Sequence, residues 1–586
     1  MTQQLEHAAA SRACVADRPR TAVSSRTVAA RRLVGVILVV VPLAWALSRA
    51  VPEGGDLVNR GGLTGLGDLL ASALKPSLDP AFLGLVLDAA WITVVFAALG
   101  TAGALLIGLL GGVVLSDVAW QHRPPLPVRL IRLVLRTILV AVRSVHELIW
   151  ALLFVSVLGF DSLVAVLAIA LPFGAQTAKV FGETLDGVPS GPLESLRSAG
   201  ASPVPAMAYG LIPGASPLLL SYCFYRFECA IRSAVLLGVV GVGGLGQELV
   251  VSLQSRNWDE VWTLIWAVVA LSAVVDLWST RVRSDLAVVT CSDWSTGDLE
   301  LPSKPDREPE TPDRGRGRGS TSRWARWSAA IVLPGLVVAW LASGVSLGGL
   351  GAPRTRELTA SLFADLWPPA LPLGGWPVLA GAVLDTVAMA ILAMAVAVAV
   401  SLLVGPWATR PRFAAVRSGT ASIWLRRSAW VSARVLLLVL RSVPPTVWAI
   451  IALLVLFPGV LPGALALGLY TGGILGRLVA EAWESIDLRP FHAVRHTGVS
   501  TSVAALASVT PPSAHHLLTY TLYRFEICVR DTAVVGVVGA AGLGRLFAEN
   551  LAVFRFPVVS TLLLASFAVS VATEVLGRRL RHALRP

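Results

Sequence analysis

Apolar residues fall in long runs along this 586-residue chain, separated by short polar stretches. LVGVILVVVPLAWAL from Leu33, WITVVFAALGTAGALLIGLLGGVVL from Trp91 and VWTLIWAVVALSAVVDLW from Val261 carry few or no charges. Helices of that length cross a hydrocarbon core of roughly 30 Å. The pattern predicts spans near 33–49, 83–115, 140–158, 162–181, 206–237 and 258–279 in the first half. In the second half it predicts 327–346, 377–405, 429–457, 460–480, 505–536 and 557–576. The first run is no ordinary secretory leader, because it follows a long polar stretch and lacks a small-residue cleavage site.

Composition agrees: 55% of residues are hydrophobic, 14% are charged and the mean hydropathy is +0.72, which excludes a soluble enzyme. The net charge of +12 does not indicate nucleic acid, since the arginines lie between spans. Arg123, Arg129, Arg132 and Arg136 follow the second span, and Arg410, Arg412, Arg417, Arg426 and Arg427 hold the matching place later. That excess of arginine assigns these loops to the cytoplasm. Cys14, Cys223, Cys229, Cys291 and Cys528 have neither CxxC nor metal-ligand spacing and imply no disulfide.

The chain repeats itself. Residues 143–246 align with 441–544 at a constant offset of 298 without a gap. RSVHELIWA matches RSVPPTVWA, Lys179 and Glu183 match Arg477 and Glu481, and 14 of the 27 positions in 220–246 are identical. Between the copies, SKPDREPETPDRGRGRGSTS has no apolar period and reads as a disordered linker. The expected organisation is a cytoplasmic tail at 1–30, a first module at 31–280, a cytoplasmic linker at 281–326 and a second module at 327–586. Six spans in each half place both termini in the cytoplasm and make the modules parallel. The fold class is therefore all-α: a polytopic membrane protein of two six-helix modules related by a pseudo-two-fold axis along the membrane normal.

Between the fourth and fifth spans, DGVPSGPLESLRSAGASPVPAMAYGLIP contains Glu194, then Gly200 six residues on, then Pro213. This pattern resembles the EAA loop of ABC importer permeases, a short helix that docks into a cleft of an ATPase subunit. The segment that follows, SYCFYRFECAIRSAVLLGVVGVGGLGQEL, is similar to the phosphonate-type permeases, and both halves carry it. The resemblance implies two permease subunits fused in one chain, with separate ATPase subunits, identical or different, and an extracytoplasmic substrate-binding protein as partners. The second loop departs from the pattern: His492 replaces the glutamate, while Gly498 and Pro511 remain. Unequal coupling of the halves to their ATPases is the expected consequence.

Charges inside the apolar fifth spans are the candidate substrate pathway. Glu228 and Arg232 stand four residues apart on one helical face, as do Glu526 and Arg530. Arg226 and Arg524 lie about 120° further round and lack an evident local partner. A charge in the bilayer costs at least ~2.5 to 3.5 kcal/mol and usually faces a bundle interior or a wet cavity. Arginine suits phosphonate or phosphate because its planar fork donates two hydrogen bonds. The competing reading makes both pairs structural pins between helices, and Asp531 in place of Ser233 weakens a symmetric anion site.

Gly243, Gly244 and Gly246, with Gly542 and Gly544, form glycine-rich segments expected at the external side as a gate. They follow no strand and are no phosphate cradle. Lys75, Lys179 and Lys304 are the only lysines and none lies in a Walker A loop, so ATP binding falls to partner subunits. No cofactor, metal cluster or catalytic constellation is expected, and the chain is not read as an enzyme. The resulting reading is the permease of an ATP-driven importer for phosphonate, phosphite or a phosphate ester. The alternative is a secondary transporter in which Glu228 and Glu526 relay protons.

Overall fold

A computed structural model describes residues 25–51, 57–118, 126–285, 323–345, 348–410 and 420–584. Among these residues the chain is helical, and its only β pairing is an isolated bridge between Val58 and Leu456. The first half comprises α1 (Ser25–Ala50), α2 (Gly62–Ser72), α3 (Pro80–Leu115), α4 (Leu126–Ser144), α5 (Glu147–Leu158), α6 (Ser162–Gly187), α7 (Gly191–Ser198), α8 (Pro203–Gly210), α9 (Ile212–Gly238), α10 (Leu245–Gln254) and α11 (Trp258–Asp285). The second comprises α12 (Arg323–Ala342), α13 (Pro353–Asp365), α14 (Gly375–Ala408), α15 (Thr420–Ser442), α16 (Pro445–Val455), α17 (Val460–Ser485), α18 (Arg489–His496), α19 (Thr501–Ser508), α20 (Thr510–Val537), α21 (Leu543–Ala552) and α22 (Phe556–Leu584). Most of the expected tail, and the linker between 286 and 322, lie outside the described residues. The helices on either side extend into both intervals, since α1 begins at Ser25, α11 ends at Asp285 and α12 begins at Arg323.

The predicted spans coincide with helices, though not all of these are continuous. Among the described residues, α3, α6, α11, α14, α17 and α22 are single helices long and apolar enough to cross a membrane. The third span of each half is broken instead: α4 meets α5 at 94° and α15 meets α16 at 92°. Local chemistry explains both breaks. In the first half His146 leaves the helical region and its Nδ1 accepts from the Leu148 amide at 3.2 Å, capping α5. In the second half Pro444 is extended and Pro445 starts α16, because proline suits a first helical turn and disfavours helix in the residue before it.

The core of each module is a tight helix pair, α3 with α6 and α14 with α17. Small residues set the approach of such pairs in a membrane. In the first half α3 supplies the space, for a side chain at Gly100 would meet Ile169 Cβ at 2.7 Å. In the second the roles reverse, and a side chain at Gly468 of α17 would meet Val396 Cβ at 2.6 Å.

The first helices do not stay with their own halves. Ala46 and Ala50 of α1 are buried among Met389, Leu392 and Ala393 of α14, and Arg49 bonds Asp385 at 2.6 Å. Reciprocally, Ala339 of α12 and Val345 pack with Phe96 and Leu99 of α3. The bridge at Val58 continues this exchange, with the Asn59 amide donating to the Val455 carbonyl at 2.7 Å. The first helix of each half thus packs on the other half.

Candidate functional site

The fifth span of each half, α9 and α20, carries its charges into a cavity of about 1030 Å³ between the modules. Arg226, Glu228, Arg232, Arg524, Glu526 and Arg530 all line it. The cavity also reaches Asp117, Asp186, Arg578 and Arg581, at the end of the bundle that bears the short helices α7 and α18. No residue of the glycine-rich segments lines it.

The expected ion pairs form, Arg232 with Glu228 at 3.3 Å and Arg530 with Glu526 at 3.1 Å. They belong to a larger network that crosses between the halves. Glu228 also meets Arg441 at 3.4 Å; Arg441 reaches Asp276 at 3.0 Å, and Asp276 holds Arg477 at 2.7 Å. On the other side Glu574 accepts from Arg143 at 2.9 Å through both oxygens and lies 3.9 Å from Lys179. Asp276 and Glu574 occupy equivalent places in α11 and α22, and each grips cations of the opposite half. Such reciprocity is what a two-fold relation between the modules requires. The pairs Lys179–Glu183 at 3.8 Å and Arg477–Glu481 at 2.7 Å form as well, and are part of this network.

Asp276 and Glu574 were absent from the sequence-derived candidates. The repeat alignment stops at 246 and 544, yet the same offset of 298 carries Asp276 onto Glu574, each an acid inside an apolar segment. An intramembrane charge at corresponding positions was the available signal.

One expectation needs correction. Arg226 does not lack a partner: its Nε and Nη2 donate to the Tyr222 hydroxyl at 2.9 and 2.7 Å, and Nη2 donates to Gln176 Oε1 at 2.6 Å. Its guanidinium also sits 4.6 Å from the centre of the Phe173 ring. Glu228 and Glu526 are ion-paired rather than lone carboxylates, an arrangement unlike a proton relay. Asp531 faces His146 of the other half at 3.5 Å, while Ser233 donates to Glu147 Oε1 at 2.7 Å, so the two halves differ here too.

The loops bearing α7 and α18 adopt the same shape. Leu193 of α7 and Phe491 of α18 are buried at equivalent positions, whereas Glu194 and His492 are exposed. Glu194 accepts from Ser190 Oγ at 2.5 Å. Gly200 and Gly498 close the turns at φ +88° and +87°, a conformation that costs side-chain-bearing residues roughly 1–2 kcal/mol. Pro213 and Pro511 stand in the first turns of α9 and α20.

The glycine-rich segments are turns at the far end of α9 and α20. Gly244 and Gly542 have φ +82° and +94°, and the next amides, of Leu245 and Leu543, donate to Thr93 and Thr386 hydroxyls at 3.0 and 2.9 Å. Side chains at Gly246 and Gly544 would run into the carbonyls of Val235 and Ala533. Gly243, also at positive φ, completes the first turn. The geometry gives these residues a role in folding the hairpins back.

Parallel repeated modules, broken third spans and a charged cavity between the halves describe a membrane permease of transport systems. The family model for the binding-protein-dependent transport system inner membrane component matches residues 126–287 and 413–586, and the chain belongs to this family. Over 517 residues the chain is 28% identical to the phosphate-import permease protein PhnE of Mycolicibacterium smegmatis, covering 88% of each protein. It is 33% identical over 219 residues to the phosphite transport system permease protein PtxC of Stutzerimonas stutzeri, covering 36% of this chain and 76% of that protein. A cryptic phosphonate transport system permease protein of Escherichia coli is 33% identical over 106 residues, covering 18% of this chain and 87% of its own.

Proposed function

We propose that this chain supplies two permease modules of an ABC importer for a small phosphorus oxyanion: phosphonate, phosphite, phosphate or a phosphate ester. The observation that carries the reading is the arginine-lined cavity between the halves, which reaches the end that bears α7 and α18. The names of the relatives, all phosphate, phosphite or phosphonate permeases, supply the substrate class.

An external binding protein delivers the anion to the end with the glycine-rich turns. Separate ATPase subunits bind ATP and dock on α7 and α18, and their closure rocks the two halves between outward-open and inward-open states. Both termini then lie on the cytoplasmic side with the ATPases. The permease needs no cofactor of its own and performs no covalent chemistry.

The test is uptake of labelled methylphosphonate by cells lacking their own importer, with this chain co-expressed beside its ATPase and binding protein. Uptake should vanish when the Walker lysine of the ATPase is replaced. Uptake that survives that replacement would establish a secondary transporter instead.

A further inference from the structure

We infer that the cavity holds a single anion subsite, built on the second half only and centred on Arg524. The inference rests on the importer reading above and makes it unsymmetrical. Arg226 and Arg524 are equivalent by sequence and almost equally buried, at 7% and 8% exposure. Their surroundings differ. Arg226 is saturated by Tyr222, Gln176 and the Phe173 ring. At the offset of 298, Gln176 becomes Ile474 and Phe173 becomes Thr471, so the second half has lost two of the three partners, while Tyr222 keeps its equivalent in Tyr520.

Arg524 consequently makes no hydrogen bond or ion pair among the described residues, and its Nε and Nη2 are buried without an acceptor. A buried donor left unmade is expensive, and more so when it is charged. The acids that could neutralise it are engaged: Glu526 by Arg530, Asp531 towards His146, and Glu228 by Arg232 and Arg441. Tyr470 adds a phenol to the lining where the first half has Pro172.

Nε and Nη2 form the side-on edge of the guanidinium, which takes two oxygens of one oxyanion together. A tetrahedral phosphorus oxyanion supplies the acceptors that the protein withholds once the two halves part enough to uncover Nε and Nη2, which are shut off in this conformation. Arg226, already paired, holds the opposite wall and does not compete. One anion per chain follows, at a fixed side of the path.

The experiment uses the intact permease–ATPase complex in lipid nanodiscs, without binding protein. Equilibrium binding of labelled methylphosphonate and of inorganic phosphate is measured at constant ionic strength, beside KM for uptake in cells. Wild type should bind one anion per chain. Arg524→Gln should weaken binding at least tenfold and raise KM. Ile474→Gln is the sharper variant, since it keeps the charge and gives Arg524 the partner that Arg226 has; it should weaken binding to a similar extent. Two anions per chain would overturn the subsite, as would wild-type binding and KM in both variants at unchanged Tm. Failure of the wild-type system to take up any phosphorus oxyanion would instead defeat the importer reading, and the subsite with it.

Discussion

Glu574 in the last helix accepts hydrogen bonds from Arg143 of the other half at 2.9 Å through both carboxylate oxygens. Asp276, its equivalent, returns the contact to Arg441 at 3.0 Å. Each module is thus fastened to the other by an acid within a long, largely apolar helix. Removing one member of a buried pair strands the other in a medium where a lone charge is costly.

A double-mutant cycle on Arg143→Gln and Glu574→Gln should therefore show coupling. Residues in direct contact within such networks usually interact by about 0.5–3 kcal/mol. Reversible unfolding of the purified permease measures it. Additive losses would mean that the contact contributes nothing of its own to stability.

Asp276→Asn should be more damaging than Glu574→Gln. Asp276 bonds two arginines, Arg441 and Arg477, at 3.0 and 2.7 Å, whereas the lysine beside Glu574 stands 3.9 Å away. The expected order in Tm is wild type, then Glu574→Gln, then Asp276→Asn. An inverted order would show that the bidentate contact outweighs the second arginine.

At the docking loops, Gly200 and Gly498 have open space where a side chain would stand, so only backbone strain opposes substitution. Gly498→Asn should be tolerated better than Gly498→Val, because asparagine visits positive φ more readily than β-branched residues. Co-purification of the ATPase with each variant reads this out. Equal retention by both would remove the turn from the docking surface.

Glu194 and His492 are exposed at corresponding positions of α7 and α18. Glu194→Ala should reduce ATP-dependent uptake several-fold, with His492→Ala reducing it less. His492→Glu is the control, restoring the acid to the second loop. Identical losses in Glu194→Ala and His492→Ala would show that the two loops couple alike.

Gly246→Ala and Gly544→Ala should both lower the yield of folded protein, since the new methyl would meet a backbone carbonyl that cannot swing aside. Gly84→Ala, with nothing within 4 Å, should be silent. Size-exclusion profiles of tagged variants separate the two cases. Wild-type profiles for Gly246→Ala would mean that the α9 to α10 hairpin yields easily.

Much of this architecture was legible in the chain itself. Apolar runs locate the helices because a segment must satisfy its own backbone in lipid and helix does so within the segment. The offset of 298 locates the modules, and it places Glu228 with Arg232, and Glu526 with Arg530, on shared helical faces. The broken third span was partly readable, since Pro444 and Pro445 announce one break, whereas the His146 cap shows itself only through its bond to the Leu148 amide.

The sequence by itself determined helix positions, the repeat and the presence of arginines in apolar helices, because these follow from local composition and from short spacings along one helix. Tertiary structure alone decided which module receives each first helix, that Asp276 and Glu574 fasten the halves together, and that Arg226 is saturated while Arg524 has no hydrogen-bond partner among the described residues. Those outcomes depend on which side chain meets which across 50 to more than 400 positions of chain, as in Arg226 with Gln176 and Arg143 with Glu574. Periodicity holds no record of such distances; packing between the two halves sets them.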